Sequence, residues 1–224
     1  MNKKYYMLEQ NGKQANLSIY GDITSCPWFE NDVSAFSLVS ELETLDAEEI
    51  NVYINSYGGE VAEGLAIYNA LKRHKAKINT FCDGFACSIA SVIFMAGDER
   101  MMSPASLIMI HNAWTCASGN AQELRKQADD LEIITSASVA AYTERVSITE
   151  NEVKELMDAE TWIDAKTALQ KGFATKIIDG QGENPSQHLQ NRIFEALTAK
   201  GEKKEEKEPE PKEKNKFIKF FENY

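Results

Sequence analysis

The hydrophobic period of this chain switches repeatedly between residues 50 and 111, and that alternation constrains the fold more than any other feature. Residues 50–54 (INVYI) read as a strand, rich in β-branched and aromatic side chains. From Glu60 the period becomes helical, with Val61, Leu65, Tyr68 and Leu71 on one face. Residues 78–82 predict a second strand, Asp83-Gly84 a tight turn, residues 88–96 an apolar helix and residues 107–111 a third strand. The pattern extends in both directions, with a strand at residues 15–20 (ANLSIY) and a long amphipathic helix at residues 121–146 carrying Leu124, Ala128, Leu131 and Tyr142 on one stripe. A helix near residues 150–158, a short strand at Trp162-Ile163, a helix at 165–171 and a strand at 175–178 complete the series. Strands separated by helices of crossover length predict an α/β fold built from βαβ units.

The 224 residues suit one domain with an appendage. Residues 1–199 read as globular; residues 200–216, nearly all Lys, Glu and Pro, read as a flexible charged linker. Residues 217–224 carry Phe217, Ile218, Phe220, Phe221 and Tyr224, an apolar segment expected to dock on a partner. The net charge of −11 resides in the body, where residues 1–199 hold 16 basic and 28 acidic side chains. Such an acidic body repels phosphate backbones, so no nucleic-acid partner is expected. No apolar run reaches the length of a membrane span, and the N-terminus lacks the apolar core of a signal peptide, so a cytoplasmic protein is expected with no membrane partner. Cys26, Cys82, Cys87 and Cys116 form no CxxC pair and read as free thiols.

Three segments at strand-to-helix junctions stand out chemically. Asn55-Ser56-Tyr57-Gly58-Gly59 carries paired glycines, which permit positive φ and close approach of the backbone to a ligand. N–H groups at the following helix start would face an anion or oxyanion, although an ordinary glycine turn explains the same residues. Gly84-Phe85-Ala86-Cys87-Ser88-Ile89-Ala90-Ser91 leads from a strand into a very apolar helix. Ser88 there is either an N-cap or a nucleophile whose neighbour Ile89 offers its N–H to an oxyanion. Cys87 is a rival nucleophile, expected instead to pack. His111 closes the strand at 107–111, whereas His74, in a basic turn, and His188, in a polar stretch, are expected at the surface. A lone histidine at a strand end is ordinarily structural. A serine, a base and an oxyanion loop in successive βα units together suggest nucleophilic catalysis.

These blocks, YINSYGG at 53–59, GFACSIA at 84–90 and MIHN at 109–112, resemble in order and spacing three signatures of the Clp protease proteolytic subunit (ClpP) family of serine peptidases. WIDAKTA at 162–168, followed by Gly172-Phe173-Ala174, resembles a fourth, just after the family's catalytic acid. The resemblance spans roughly residues 15–180 and is greatest to the ClpP-related head maturation proteases of tailed phages. It implies a ClpP/crotonase-like spiral of ββα units with a protruding long-helix handle. It also implies a serine endopeptidase working through an acyl-enzyme, without cofactor or metal. Ser88 would be the nucleophile, His111 the general base and Glu160 the acid, with Asp158 and Asp164 as alternatives; the N–H groups of Gly59 and Ile89 would be the oxyanion donors. Further implications are protein substrates, a homo-oligomeric ring (a heptamer or double ring), capsid or portal partners and, for a phage protein, the host cytoplasm.

Some residues depart from the family pattern. Tyr57 stands where proline is usual, Ala90 where glycine is usual, and His111 follows Ser88 by 23 residues, which predicts a trimmed loop near residues 98–100. The family's N-terminal axial-loop segment is not matched in this pattern, which leaves dependence on an ATPase partner open. Two rival readings keep the architecture: a crotonase-like acyl-CoA enzyme, for which the acidic body offers little positive charge, and an inactive ring-forming scaffold, which would need neither Ser88 nor His111.

Overall fold

The computed structural model describes residues 7–26 and 33–178. The linker at 200–216, the apolar segment at 217–224 and His188 lie outside the described residues. The sheet starts with a hairpin where the sequence predicts one strand. β1 (Met7–Asn11) and β2 (Gln14–Ile19) pair antiparallel around a two-residue loop whose first residue, Gly12, has φ 63, the position where such loops demand glycine. Next, α1 (Ala35–Thr44) is capped by the Ser34 side chain and buries Ala35, Leu38 and Leu42. The sequence reading misses this helix because three apolar contacts among serines and acids give a weak period.

β3 (Glu49–Ser56), α2 (Val61–Arg73) and β4 (Lys77–Cys87) follow as a parallel crossover unit. β4 corrects the expected turn at Asp83-Gly84: the strand runs straight through it. Its first part pairs with β5 (Glu99–Met102), its last part, from Phe85, with β6 (Leu107–Ile110). Asp83-Gly84 is thus where the sheet divides, and β3 is irregular opposite it, its pairing slipping between Ile54 and Ser56. Asn55 fills that irregularity: its Oδ1 accepts the Phe85 N–H at 3.1 Å, and a Cβ on Gly84 would lie 2.6 Å from the same oxygen. A glycine demanded by a bulge and one demanded by a turn look alike in sequence.

Between β4 and β5 lies α3 (Ile89–Phe94), every residue of it buried. The strand β5 replaces the predicted loop near 98–100. It exists because Arg100 turns inward and donates to the carbonyls of Phe173, Gly97 and Gly172, satisfying a buried guanidinium without a carboxylate. α4 (Ala121–Thr143), α5 (Glu150–Asp158), β7 (Thr161–Asp164), α6 (Ala165–Lys171) and β8 (Lys176–Ile177) complete the chain. β7 pairs antiparallel with β6, and β8 pairs with β5. The result is a mixed α/β fold.

The stripe expected on the long helix does not face one core. Val139, Ala141 and Tyr142 are buried, whereas Leu124 is 43% and Ile133 70% exposed, because the N-terminal half of α4 extends past the body. Among the described residues no helix is long and apolar enough to cross a membrane.

Candidate active site

Ser88 sits where β4 passes into α3. It is not an N-cap of the ordinary kind: its side chain makes no capping bond, and its backbone lies at φ 53, ψ −128, a region costly for any residue with a Cβ. Its N–H donates to Met109 O at 2.8 Å, which ties the end of β4 to β6 two residues before His111. That tie brings the two side chains together: His111 Nε2 lies 2.7 Å from Ser88 Oγ. Cys87 is buried, and burial pushes its thiol up to about 11. It is therefore a protonated thiol at neutral pH, a poor nucleophile.

The Gly58-Gly59 loop packs directly on Ser88. A Cβ on Gly58 would lie 2.8 Å from Ser88 Cβ, and one on Gly59 only 2.0 Å from Ile23 O; both glycines have positive φ. Tyr57, in the place of a stiffening proline, leaves the loop to be held by hydrogen bonds. Ser56 Oγ accepts the Gly58 N–H and donates to Gly21 O, Ile23 N–H donates to Gly58 O, and Glu60 N–H donates to Ile23 O. The Glu60 carboxylate accepts from the Ser25 and Thr24 hydroxyls, bonds that hold it below the usual carboxylate range. This clamp escapes the sequence reading because it joins residues more than 30 apart. Among the described residues, the N–H groups of Gly59 and Ile89 donate to no protein acceptor, so both are available to a ligand oxygen. Tyr57 stands at the rim, 69% exposed, edge-on to Phe85, which is in turn edge-on to Trp162.

The three carboxylates diverge. Asp164 caps α6, accepting the Thr167 N–H at 2.7 Å, which holds its carboxyl below the usual range. Asp158 accepts from Asn112 Nδ2 at 2.7 Å and so ties the residue after His111 to the end of α5. Glu160 lies between α5 and β7 at φ 47, in the left-handed region. No carboxylate hydrogen-bonds His111 among the described residues. His74 is half-buried at the end of α2, where its Nδ1 accepts the Ala76 N–H, a structural role.

A serine hydroxyl against an imidazole, at a helix mouth with two unengaged N–H groups, has the makings of a serine peptidase centre. The family model for Clp protease matches residues 13–181. The chain is 36% identical over 156 residues to the ATP-dependent Clp protease proteolytic subunit of Deinococcus radiodurans, covering 67% of this chain and 76% of that one. It is 33% identical over 153 residues to the protein of the same name from Chlorella vulgaris, covering 66% and 76%. The chain belongs to the Clp protease family. It is a serine peptidase.

Proposed function

We propose that the chain cleaves peptide bonds of protein substrates through an acyl-enzyme on Ser88. The observation that carries this reading is the 2.7 Å contact between His111 Nε2 and Ser88 Oγ. Ser88 Oγ attacks the scissile carbonyl carbon while its proton passes to His111 Nε2. The oxyanion is received by the N–H groups of Gly59 and Ile89. The C–N bond then breaks as His111 returns the proton to the leaving amine, and water, deprotonated by the same imidazole, releases the acid. The test is labelling by a fluorophosphonate probe, which reacts with the wild type and not with Ser88→Ala.

Glu160 is the carboxylate we assign to orient His111, because Asp164 and Asp158 already serve Thr167 and Asn112. A backbone held at φ 47 also implies a position constrained by its surroundings. Glu160→Gln lowers kcat by about 10- to 100-fold, less than loss of Ser88 or His111, with KM little changed; steady-state hydrolysis of an unstructured peptide measures both. An unchanged kcat would remove Glu160 from the site.

The peptidase is further proposed to work as a homo-oligomeric ring. The exposed apolar side chains of α4, Leu124, Ile133 and Ile134, give a second copy something to cover. Each buried isoleucine contributes about 1.5–3 kcal/mol, so Ile133→Asp weakens association by roughly 10-fold or more. Light scattering at micromolar concentration reads this as a fall in mass. For substrates and partners we propose the capsid or portal proteins of a phage head, which rests on the sequence resemblance and is tested by co-expression with such proteins and a search for Ser88-dependent cleavage.

A further inference from the structure

Ser88 is held on its carbonyl side as well as on its hydroxyl side, and the hold comes from α4. Residue 91 is three positions after Ser88, so its side chain folds back onto the first turn of α3. Ser91 N–H donates to Ser88 O at 3.0 Å, and Ser91 Oγ donates to the same oxygen at 2.5 Å. A serine hydroxyl has one proton, and a carbonyl only accepts. The 2.7 Å contact between Ser91 Oγ and the Tyr142 hydroxyl therefore has tyrosine as donor. The relay runs Tyr142 O–H to Ser91 Oγ, and Ser91 O–H to Ser88 O. Both residues are only 1% exposed, and the Tyr142 ring is fixed edge-on against Phe173. Burial pushes the phenol up, so it remains a donor across the working pH range.

The geometry of the peptide unit gives the relay its consequence. The Ser88 carbonyl and the Ile89 N–H belong to one planar amide and point in opposite directions. Whatever fixes the carbonyl fixes the direction of the N–H. The Ser88 backbone, at φ 53 and ψ −128, persists only where surrounding groups over-determine it. On its N-terminal side Met109 O does this; on its C-terminal side the relay does.

We infer that Ser91 and Tyr142 are positioning residues of the peptidase: their two hydroxyls lock the Ser88–Ile89 amide so that Ser88 Oγ meets His111 and Ile89 N–H meets the oxyanion. The inference rests on the acyl-enzyme reading above. Neither residue touches substrate, and neither side chain is hydrogen-bonded to His111.

The experiment compares full-length wild type with Tyr142→Phe, Ser91→Ala and the double variant. It measures peptide hydrolysis, fluorophosphonate labelling rate, melting temperature and assembled mass. Either single change opens the relay, so each lowers kcat and the labelling rate by about 10- to 50-fold with KM within twofold of wild type. The double variant is no slower than the slower single, since one unit is broken once. The pH midpoint of kcat/KM stays in place, because the imidazole is untouched. Labelling and kcat within twofold of wild type in folded variants would overturn the proposal. So would a rise in KM at constant kcat, or losses that multiply in the double. Tyr142→Phe keeps every carbon of the ring; if it is nonetheless unfolded, Ser91→Ala decides, and unfolding of both would overturn the proposal by making the pair purely structural. Failure of the acyl-enzyme reading looks different: wild type would not label, or Ser88→Ala would still hydrolyse peptide.

Discussion

Ser88→Ala and His111→Ala each lower kcat by roughly 10⁴-fold or more, and the double variant is little slower than either. In the proposed mechanism the two side chains act as one unit across their 2.7 Å contact. An alcohol is a weak nucleophile until a base takes its proton, and the imidazole has nothing to activate once the hydroxyl is gone. In the proposed mechanism, residual activity in both variants comes from what remains: the N–H groups of Gly59 and Ile89 and the bound position of the substrate. Cys87→Ala, by contrast, stays within a few-fold of wild type, since that thiol is buried and protonated at neutral pH. Steady-state hydrolysis checks all four proteins. Near-wild-type turnover in Ser88→Ala would refute the assignment, and Cys87 would become the next residue to test.

The sequence singles out Ser88 and His111, which the fold brings into contact, but not what holds them. Strand-to-helix junctions after β3 and at Ser88 are legible because period, glycine and small residues coincide within a few positions, though the strand into Ser88 runs three residues past the expected turn. The pairing of Ser88 with His111 is legible only through the order of the blocks, since nothing local in residues 107–111 marks a base. Three features were out of reach for a common reason. The course of β4 through Asp83-Gly84 depends on the Asn55 side chain of a neighbouring strand. β5 depends on Arg100 finding carbonyls on a loop some 70 residues away. The Tyr142–Ser91 contact joins residues 51 apart on two different helices. In each case a long-range hydrogen bond overrides or supplements a local pattern, and periodicity carries no information about it. The choice among Asp158, Glu160 and Asp164 has the same character: all three suit a loop carboxylate, and only the capping of Thr167 and the tie to Asn112 separate two of them from the third.

Gly59→Ala combines a folding defect with a catalytic one, and its size separates it from an ordinary glycine substitution. At φ +147 an alanine is strained, and its Cβ would lie 2.0 Å from Ile23 O and 2.9 Å from Ile23 C. The obstacle is backbone, so no side-chain rotation relieves it. The loop must shift away from residue 23, and the bonds that clamp it, Ile23 N–H to Gly58 O and Glu60 N–H to Ile23 O, stretch or break. Backbone strain of this kind costs about 1–3 kcal/mol, and each lost bond adds about 1 kcal/mol. The same shift carries the Gly59 N–H away from the proposed oxyanion position, and loss of one such donor lowers kcat by roughly 10²- to 10³-fold. The expected result is a protein with a melting temperature several degrees lower and a kcat reduced far beyond what partial unfolding accounts for. Gly12→Ala supplies the comparison. It too has positive φ, yet nothing lies within 4 Å of its added Cβ, so it costs about 1–2 kcal/mol of stability and leaves kcat unchanged. If Gly59→Ala loses stability alone, with kcat per folded molecule equal to wild type, the Gly59 N–H does not meet the oxyanion and another donor must be sought along the same loop.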